Sequence, residues 1–288
     1  MSKADRLRAL LARPGILVMP CCFDALSAKL VEQAGFELTF MSDFAVSAAR
    51  LGLPDTGLVS YGEMVDQARQ ITGAVRIPVL GDGDTGYGNA MNVKRTVRGY
   101  AAAGLACVMI EDQVAPKRCG HTKGKLVVER TEAYDRIRAA VDAREEGHDI
   151  LVMARTDART THGLDEALER ARAFADLGAD IVFVEAPESL DEMERICREV
   201  RVPTMANMLE QGRTPILPPA ELEALGFKIS AYPLTLLSAA IRAMQDALAT
   251  LRSGTHPTNL LEFGELKRVV GFEDYYVEEA RYADRRGD

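Results

Sequence analysis

Residues 106–111 read ACVMIE and residues 150–155 read ILVMAR, and each is a short apolar run that ends in a charged side chain. Both faces of such a run are apolar, which is typical of a strand in a parallel sheet that is buried on both sides. Six further runs of this kind occur along the chain, at 16–20, 37–41, 77–82, 181–185, 202–207 and 227–232. The sequence therefore predicts eight buried parallel strands.

Segments with the apolar spacing of helices separate these runs, and several of them end in glycine, a common C-terminal cap. Eight alternating strands and helices predict an α/β fold, a (β/α)8 TIM-type barrel. An open doubly wound sheet is the alternative, but it would need a glycine-rich turn where residues 21–29 read CCFDALSAK. We expect one barrel domain over residues 1–288, with a short N-terminal helix before Pro14 and extra helices after residue 234.

The composition excludes several classes of protein. The chain has 288 residues, of which 47% are hydrophobic, and a formal net charge of −8, which disfavours general binding to nucleic acid or to anionic membranes. Its apolar runs are all shorter than the roughly 18 residues of a membrane span. The five cysteines are scattered without zinc-type spacing, which favours a reducing cytoplasmic location over a disulfide framework.

Polar or ionisable residues follow nearly every predicted strand. In a (β/α)8 barrel the carboxyl ends of all strands meet at one face, so these side chains are expected to converge on one pocket. They are Ser42 and Asp43, Asp82 and Asp84, Glu111, Arg155, Glu185, Asn207 and Tyr232.

The segment GDGDTGYGN at 81–89 indicates a metal site. Asp82 and Asp84 are two residues apart at an extended strand end, so both project to one side, and Glu111 closes the next strand. Three carboxylates form a hard-oxygen site that suits Mg²⁺, with Mn²⁺ as a possible substitute. The alternative is two solvated turn aspartates beside an unrelated glutamate.

Two further residues indicate chemistry. Arg155 at a barrel mouth can hold a carboxylate or phosphate with two hydrogen bonds, or it can form an ion pair with Glu185 or Asp157. Cys119 lies in EDQVAPKRCGHTKGK (111–125), where the flanking cations favour a thiolate able to transfer a proton. The alternative for Cys119 is an ordinary surface cysteine in a basic loop.

The motifs GDGDTGYGN, IEDQVAPKRCGH, MARTDA, FVEAP and ANMLEQGRTP together resemble the isocitrate lyase/phosphoenolpyruvate mutase superfamily, and most closely its short lyases. The resemblance covers essentially the whole chain. It implies a (β/α)8 barrel and a homotetramer in which neighbouring subunits exchange the eighth helix.

The resemblance also implies a role for individual residues. Asp82, Asp84 and Glu111 would hold Mg²⁺, while Cys119 would act as the acid/base on a gating loop. Arg155 and Ser42 would bind the 2-oxo or 2-hydroxy acid, with Tyr87 a candidate base and Asp55 near the metal. The remaining substrate-binding residues would be Asp43 and Phe44 through their amides, Lys117, Gly120 and His121 on the loop, and Glu185, Asn207 and Thr214 around the second product.

The implied activity is a Mg²⁺-dependent carbon–carbon lyase that cleaves a substituted 2-hydroxy dicarboxylate, 2,3-dimethylmalate-like or 2-methylisocitrate-like, to a 2-oxo acid and a second carboxylate. The alternatives are an oxaloacetate hydrolase or decarboxylase, a phosphorylmutase, and a metal-binding barrel that has lost catalysis. The chain departs from the pattern in two places. Asp43 stands where the lyases usually carry glycine, which leaves the exact substrate open, and GDGD at 81–84 replaces the more usual ADAD.

Overall fold

The computed structural model describes residues 1–118 and 124–283 of the chain. Its centre is an eight-stranded sheet in which every pair of neighbouring strands is parallel. The strands are β1 (Leu17–Cys22), β2 (Thr39–Met41), β3 (Val79–Asp82), β4 (Cys107–Glu111), β5 (Leu151–Thr156), β6 (Ile181–Val184), β7 (Met205–Asn207) and β8 (Ile229–Tyr232).

The sheet curls into a nearly closed ring. Its order is β6-β5-β4-β3-β2-β1-β8-β7, so the two end strands are β6 and β7. A parallel bridge joins Val182 of β6 to Thr204, the residue before β7, and the Val182 amide donates to the Pro203 carbonyl at 3.0 Å. The predicted (β/α)8 barrel is confirmed.

Helices alternate with the strands along the chain, and one helix precedes β1. They are α1 (Lys3–Ala12), α2 (Ala25–Gln33), α3 (Asp43–Val46), α4 (Tyr61–Ala74), α5 (Ala90–Ala102), α6 (Arg130–Glu145), α7 (Ala158–His162), α8 (Leu164–Asp176), α9 (Leu190–Glu199), α10 (Pro219–Leu225), α11 (Thr235–Arg252), α12 (Phe263–Val270) and α13 (Phe272–Ala283). A π-helical turn, Ser47–Leu51, directly follows α3.

Side-chain capping explains where several of these helices begin. Ser2, Asp24, Ser60 and Asn89 each accept a hydrogen bond from the first turn of the helix that follows, and each start is closed by a reciprocal capping box. These bonds satisfy amides that have no partner within the helix. The strand–helix boundaries near the barrel mouth are therefore fixed by local sequence.

The strands alternate between two apolar environments. On β5, Leu151 and Met153 belong to the cluster inside the ring, whereas Val152 and Ala154 belong to the cluster between the ring and the helices. Successive side chains of a strand point to opposite faces, so the next inward position on β5 is Arg155. The same count points Ser42, Asp82, Glu111, Glu185 and Asn207 inward at the mouth. Tyr232, which was expected in the pocket, instead packs against the cluster between the ring and the helices.

The N-terminal helix α1 belongs to the core inside the ring. Its residues Ala4 and Leu7 are buried with the inward strand residues, and Leu10 and Leu11 pack against the same cluster. This apolar face makes α1 part of the barrel's interior packing.

The chain divides into two compact units, Met1–Leu237 and Ser238–Asp288. The first holds the barrel, and the described part of the second holds most of α11 with α12 and α13. A single domain over 1–288 stays a prediction. In the described parts of the chain we find no helix with the length and apolar character that crossing a membrane requires.

Candidate active site

A cavity opens among the carboxyl ends of the strands, where the sequence predicted the site. Polar and apolar side chains line it together. The polar ones are Ser42, Asp55, Asp82, Lys117, Arg118, Arg155, Glu185 and Asn207, and the apolar ones are Cys21, Phe40, Phe44, Met109, Phe183, Met205, Leu209, Ala231, Pro233 and Leu234.

The turn after β3 brings two aspartates into one small loop. The Asp84 amide donates to Asp82 Oδ1 at 3.0 Å, and the Gly83 amide donates to the Met109 carbonyl at 2.9 Å. A Cβ on Gly83 would lie 2.6 Å from the Met109 carbonyl oxygen, closer than real contacts allow, so only glycine fits here. The Glu111 amide donates to the Asp84 carbonyl at 2.9 Å and ties the loop to the end of β4.

These carboxyl groups are deeply buried. Burial raises the pKa of Asp84 to about 6 and the pKa of Asp82 above its ordinary 3.8. Burial also raises the pKa of Glu111 well above 4.5, and among residues 1–118 and 124–283 its Oε1 finds no hydrogen-bond donor. A buried oxygen without a partner is costly, so this set of oxygens suits a cation.

The residues fit Mg²⁺ by chemistry, although the site is not preassembled. Within residues 1–118 and 124–283, three or more acidic, histidine or cysteine side chains do not come close enough to form a ready-made metal cluster. Mg²⁺ usually keeps several waters and takes only one or two carboxylates directly. Asp82, Asp84 and Glu111 would therefore hold the ion partly through water.

A buried lysine extends into the same group of carboxylates. Lys117 Nζ lies 3.0 Å from Asp43 Oδ2 and 3.1 Å from Asp84 Oδ1, and it also contacts Asp55. Burial lowers the pKa of Lys117, but the carboxylates of Asp84 and Asp43 outweigh it, and the net pKa is well above 10.5. This arrangement is the main feature that the sequence did not reveal.

Asp43 begins α3 and is almost fully buried behind the cavity. Its Oδ1 accepts no hydrogen bond from the residues that the structure describes, and burial raises its pKa to about 8 against the opposing effect of Lys117. Its neighbours Ser42 and Phe44 do line the cavity. The departure from glycine therefore adds a fourth buried carboxyl beside the predicted metal ligands.

Arg155 contacts three carboxylates. Its Nε lies 2.9 Å from Asp157 Oδ2 and 3.3 Å from Glu111 Oε2, while a terminal nitrogen lies 3.2 Å from Glu185 Oε2. Both predicted ion-pair partners are present, and the guanidinium still faces the cavity. Glu185 also lies 3.4 Å from the Asn207 side-chain amide.

Tyr87 and Thr214 lie away from the cavity lining. The Tyr100 hydroxyl donates to the Asp82 carbonyl at 2.7 Å, so the Tyr87 hydroxyl, 3.3 Å away, is the donor to Tyr100. Burial raises the pKa of Tyr87 well above 10, which disfavours it as a base. Thr214 is buried and its hydroxyl has no hydrogen-bond partner. Both roles stay predictions.

Cys119, Gly120 and His121 lie outside the described residues, so their roles also stay predictions. Of the cations expected to favour the Cys119 thiolate, Lys117 is paired with three aspartates and Lys125 with Asp157. The charges of these two lysines are therefore compensated elsewhere, and the expectation that they act on the thiol gains no support from their placement.

Sequence reasoning missed the apolar part of the lining, although a signal for it existed. Phe40, Met109, Phe183 and Met205 each stand two residues before a predicted polar site residue. Because strand side chains alternate with a period of two, these residues occupy the next inward layer. The same count could have identified them.

Comparison with known proteins agrees with this geometry. The family model for phosphoenolpyruvate phosphomutase matches residues 7–252. The 2,3-dimethylmalate lyase of Eubacterium barkeri is 44% identical to the chain, covering 99% of this chain and 100% of that one. The chloroplastic carboxyvinyl-carboxyphosphonate phosphorylmutase of Arabidopsis thaliana is 41% identical, and the match covers 98% of this chain and 85% of that one.

Solved structures also superimpose closely. An oxaloacetate acetylhydrolase bound to 3,3-difluorooxalacetate gives a TM-score of 0.92 at 35% identity, covering 99% of this chain and 96% of that chain. A phosphonopyruvate hydrolase in complex with oxalate and Mg²⁺ gives a TM-score of 0.86 at 31% identity, and the match covers 98% of this chain and 99% of that chain. Proteins of this fold and similar sequence thus carry out several reactions.

Proposed function

The chain belongs to the phosphoenolpyruvate phosphomutase family, and from that premise we propose that it is a Mg²⁺-dependent carbon–carbon lyase. Its substrate is a 2-hydroxy dicarboxylate with alkyl substituents, 2,3-dimethylmalate-like or 2-methylisocitrate-like. The products are a 2-oxo acid such as pyruvate and a second carboxylate.

The observation that carries this proposal is a single cavity that is lined by both charged and apolar side chains. Asp82 and Arg155 line it together, while Phe44, Leu209 and Pro233 present apolar surface to the same space. A guanidinium suits a carboxylate, and apolar surface suits alkyl groups. The 44% identity to a 2,3-dimethylmalate lyase favours the dimethylmalate type.

Mg²⁺, or Mn²⁺ in its place, is proposed to bind at Asp82, Asp84 and Glu111. When bound it supplies positive charge beside the reacting oxygens and stabilises the charge that develops during cleavage. The buried oxygen of Glu111 without a hydrogen-bond partner supports this assignment.

The protein's own groups bind the substrate and move protons. Arg155 and Ser42, with the amides of Asp43 and Phe44, hold the half that becomes the 2-oxo acid. Glu185, Asn207 and Thr214 are assigned to the half that becomes the second carboxylate. Lys117, Gly120 and His121 are assigned to substrate binding on the loop that carries Cys119.

The proton transfers complete the reaction. A base takes the 2-hydroxyl proton; Asp55, which lines the cavity, and Tyr87 are the candidates. The C2–C3 bond breaks, its electron pair stays on C3, and the thiol of Cys119 supplies the proton that C3 needs. Atoms and charge balance in a retro-aldol cleavage.

Oxaloacetate hydrolysis is the second candidate, because the acetylhydrolase structure superimposes with a TM-score of 0.92. Phosphoryl transfer fits less well, since it has no need for a thiol proton donor such as Cys119. Either of these two reactions would also use a divalent cation at Asp82, Asp84 and Glu111.

We also propose a cytoplasmic homotetramer in which α11 is exchanged between subunits. Exposed apolar residues on α11 support the assembly: Ile241, Met244, Leu248 and Leu251 recur at helical spacing. Size-exclusion chromatography with light scattering tests it: four times 31.4 kDa is expected, and a monomer overturns the proposal.

A substrate panel tests the proposed reaction. The purified protein with MgCl₂ is incubated separately with 2,3-dimethylmalate, 2-methylisocitrate, oxaloacetate and phosphoenolpyruvate, and pyruvate, oxalate and CO₂ are measured. Pyruvate from 2,3-dimethylmalate or 2-methylisocitrate supports the lyase. If oxaloacetate gives oxalate while neither 2,3-dimethylmalate nor 2-methylisocitrate is cleaved, the result supports the hydrolase and overturns the lyase.

A further inference from the structure

Arg155 has more negative charge around it than its own positive charge can balance. Asp157, Glu111 and Glu185 all lie within 3.3 Å of its guanidinium. A guanidinium surrounded by three carboxylates attracts a fourth, incoming carboxylate poorly. For Arg155 to bind a substrate carboxylate, other cations must balance part of this charge.

In the proposed mechanism the charge of Glu111 is balanced by a cation, because Glu111 is a proposed ligand of Mg²⁺. Asp157 has none there: it follows β5, is fully buried and is not among the cavity-lining residues. It also makes the closest ion pair with Arg155, through Oδ2 at 2.9 Å and Oδ1 at 3.1 Å. Asp157 is therefore the strongest internal competitor for the guanidinium.

Lys125 contacts the same carboxylate of Asp157 as Arg155 does. Its Nζ is 2.5 Å from Asp157 Oδ1, and the two side chains are 1% and 0% exposed. Burial raises the pKa of Asp157, but Arg155 and Lys125 outweigh it and hold the net pKa below 3.8. Asp157 is thus an ionised carboxylate shared between two cations.

Hydrogen bonds anchor the backbone of Asp157 beside both cations. Its backbone amide donates to Asp112 Oδ1 at 2.9 Å, and the preceding Thr156 hydroxyl donates to Asp112 Oδ2 at 2.7 Å. Asp112 is itself held by Arg170 at 3.1 Å. With its position fixed, the charge that Asp157 presents to Arg155 depends on Lys125.

We propose that Lys125 is a positioning residue for anion binding, which balances the charge of Asp157 and so leaves the Arg155 guanidinium available to a substrate carboxylate. The inference rests on the proposed function only in taking Arg155 as the carboxylate site.

The experiment measures oxalate binding by isothermal titration calorimetry in the presence of MgCl₂, so that no turnover is needed. The proteins compared are the wild type, Lys125→Met, Lys125→Arg, Asp157→Asn and the double variant Lys125→Met/Asp157→Asn. Circular dichroism and thermal unfolding establish that each is folded. An Arg155→Gln control must lose oxalate binding; if it does not, oxalate binds elsewhere and the proposal is wrong.

Lys125→Met is expected to weaken oxalate binding by about tenfold or more, the usual effect of a lost charged contact, while Lys125→Arg stays within about threefold of the wild type. The double variant is expected to recover to within about threefold, because the competing charge is gone as well. A merely structural lysine predicts the opposite, since the double variant would then be at least as weak as Lys125→Met.

If Lys125→Met does not fold, a comparison of Asp157→Asn with the double variant still tests the proposal. Asp157→Asn and the double variant differ only in Lys125, and the proposal predicts oxalate dissociation constants within about threefold of each other. A tenfold difference between them overturns it. Because oxalate binding is measured without catalysis, a protein that binds oxalate as predicted but cleaves no substrate of the panel would contradict only the proposed function.

Discussion

Asp43 is expected to lower the stability of the metal-free protein, and replacing it with asparagine should raise that stability in a pH-dependent way. The side chain is 3% exposed and ion-paired with Lys117, yet burial raises its pKa from 3.8 to about 8. In the unfolded chain the same carboxyl loses its proton near pH 3.8. Between these two values unfolding releases a proton, so raising the pH favours the unfolded state.

The magnitude follows from the gap between the two pKa values. The gap from 3.8 to about 8 corresponds to about 6 kcal/mol of stability lost above pH 8, at about 1.4 kcal/mol per pH unit. Asparagine keeps a similar shape and cannot ionise. The free energy of unfolding of Asp43→Asn should therefore exceed that of the wild type by about 2 kcal/mol at pH 5 and by about 5 to 6 kcal/mol at pH 8.

The assay is urea unfolding followed by circular dichroism at pH 5, 6, 7 and 8, with EDTA present so that no divalent cation holds the carboxylates. Asp66→Asn is the matched control, because Asp66 pairs with Arg50 at 2.8 Å but its side chain is 52% exposed. It should change the stability by no more than about 1 kcal/mol. An Asp43→Asn variant that is less stable than the wild type, or whose advantage does not grow from pH 5 to pH 8, refutes the reasoning.

Three further predictions concern the proposed reaction. Because burial raises the pKa of Asp84 to about 6, protons should compete with Mg²⁺ for this carboxylate in acid. The dissociation constant of Mg²⁺, measured by calorimetry, should rise by up to about tenfold per pH unit as the pH falls below 6. A dissociation constant that does not change with pH contradicts this. Cys119→Ser should lower kcat by about a hundredfold or more in steady-state assays without changing the melting temperature, and an unchanged kcat removes the thiol from the mechanism. Tyr87→Phe should keep kcat within about threefold, because its hydroxyl donates to Tyr100 outside the cavity, whereas a hundredfold loss would make Tyr87 the base.

The barrel and the position of the site could be predicted because both depend on local pattern. Apolar runs such as 106–111 and 150–155 form strands, and alternation along them points Glu111 and Arg155 inward at the mouth. The observed strands begin one to three residues later than most of the runs do. A pattern of apolar residues cannot specify that limit.

The pairing of charges inside the site could not be predicted. The sequence predicts that Lys117 and Lys125 belong to the cations that favour the Cys119 thiolate, yet both are buried against aspartates from distant parts of the chain. Which carboxylate receives which lysine depends on how the loop after β4 packs over the barrel mouth. Asp43 illustrates the same point, because its departure from glycine is visible in the sequence while its ion pair with Lys117 is not.

Cleavage of 2,3-dimethylmalate in deuterated water, followed by proton NMR, tests the central claim most directly. With Mg²⁺ the account predicts pyruvate and propionate in equal amounts, the propionate carrying one deuterium at C2 because a proton donor in exchange with solvent quenches the carbanion. Chelation by EDTA should stop both products, and added Mg²⁺ should restore them. Absence of pyruvate while oxaloacetate is converted to oxalate and acetate, or equal rates with and without the metal, would contradict a metal-dependent carbon–carbon lyase.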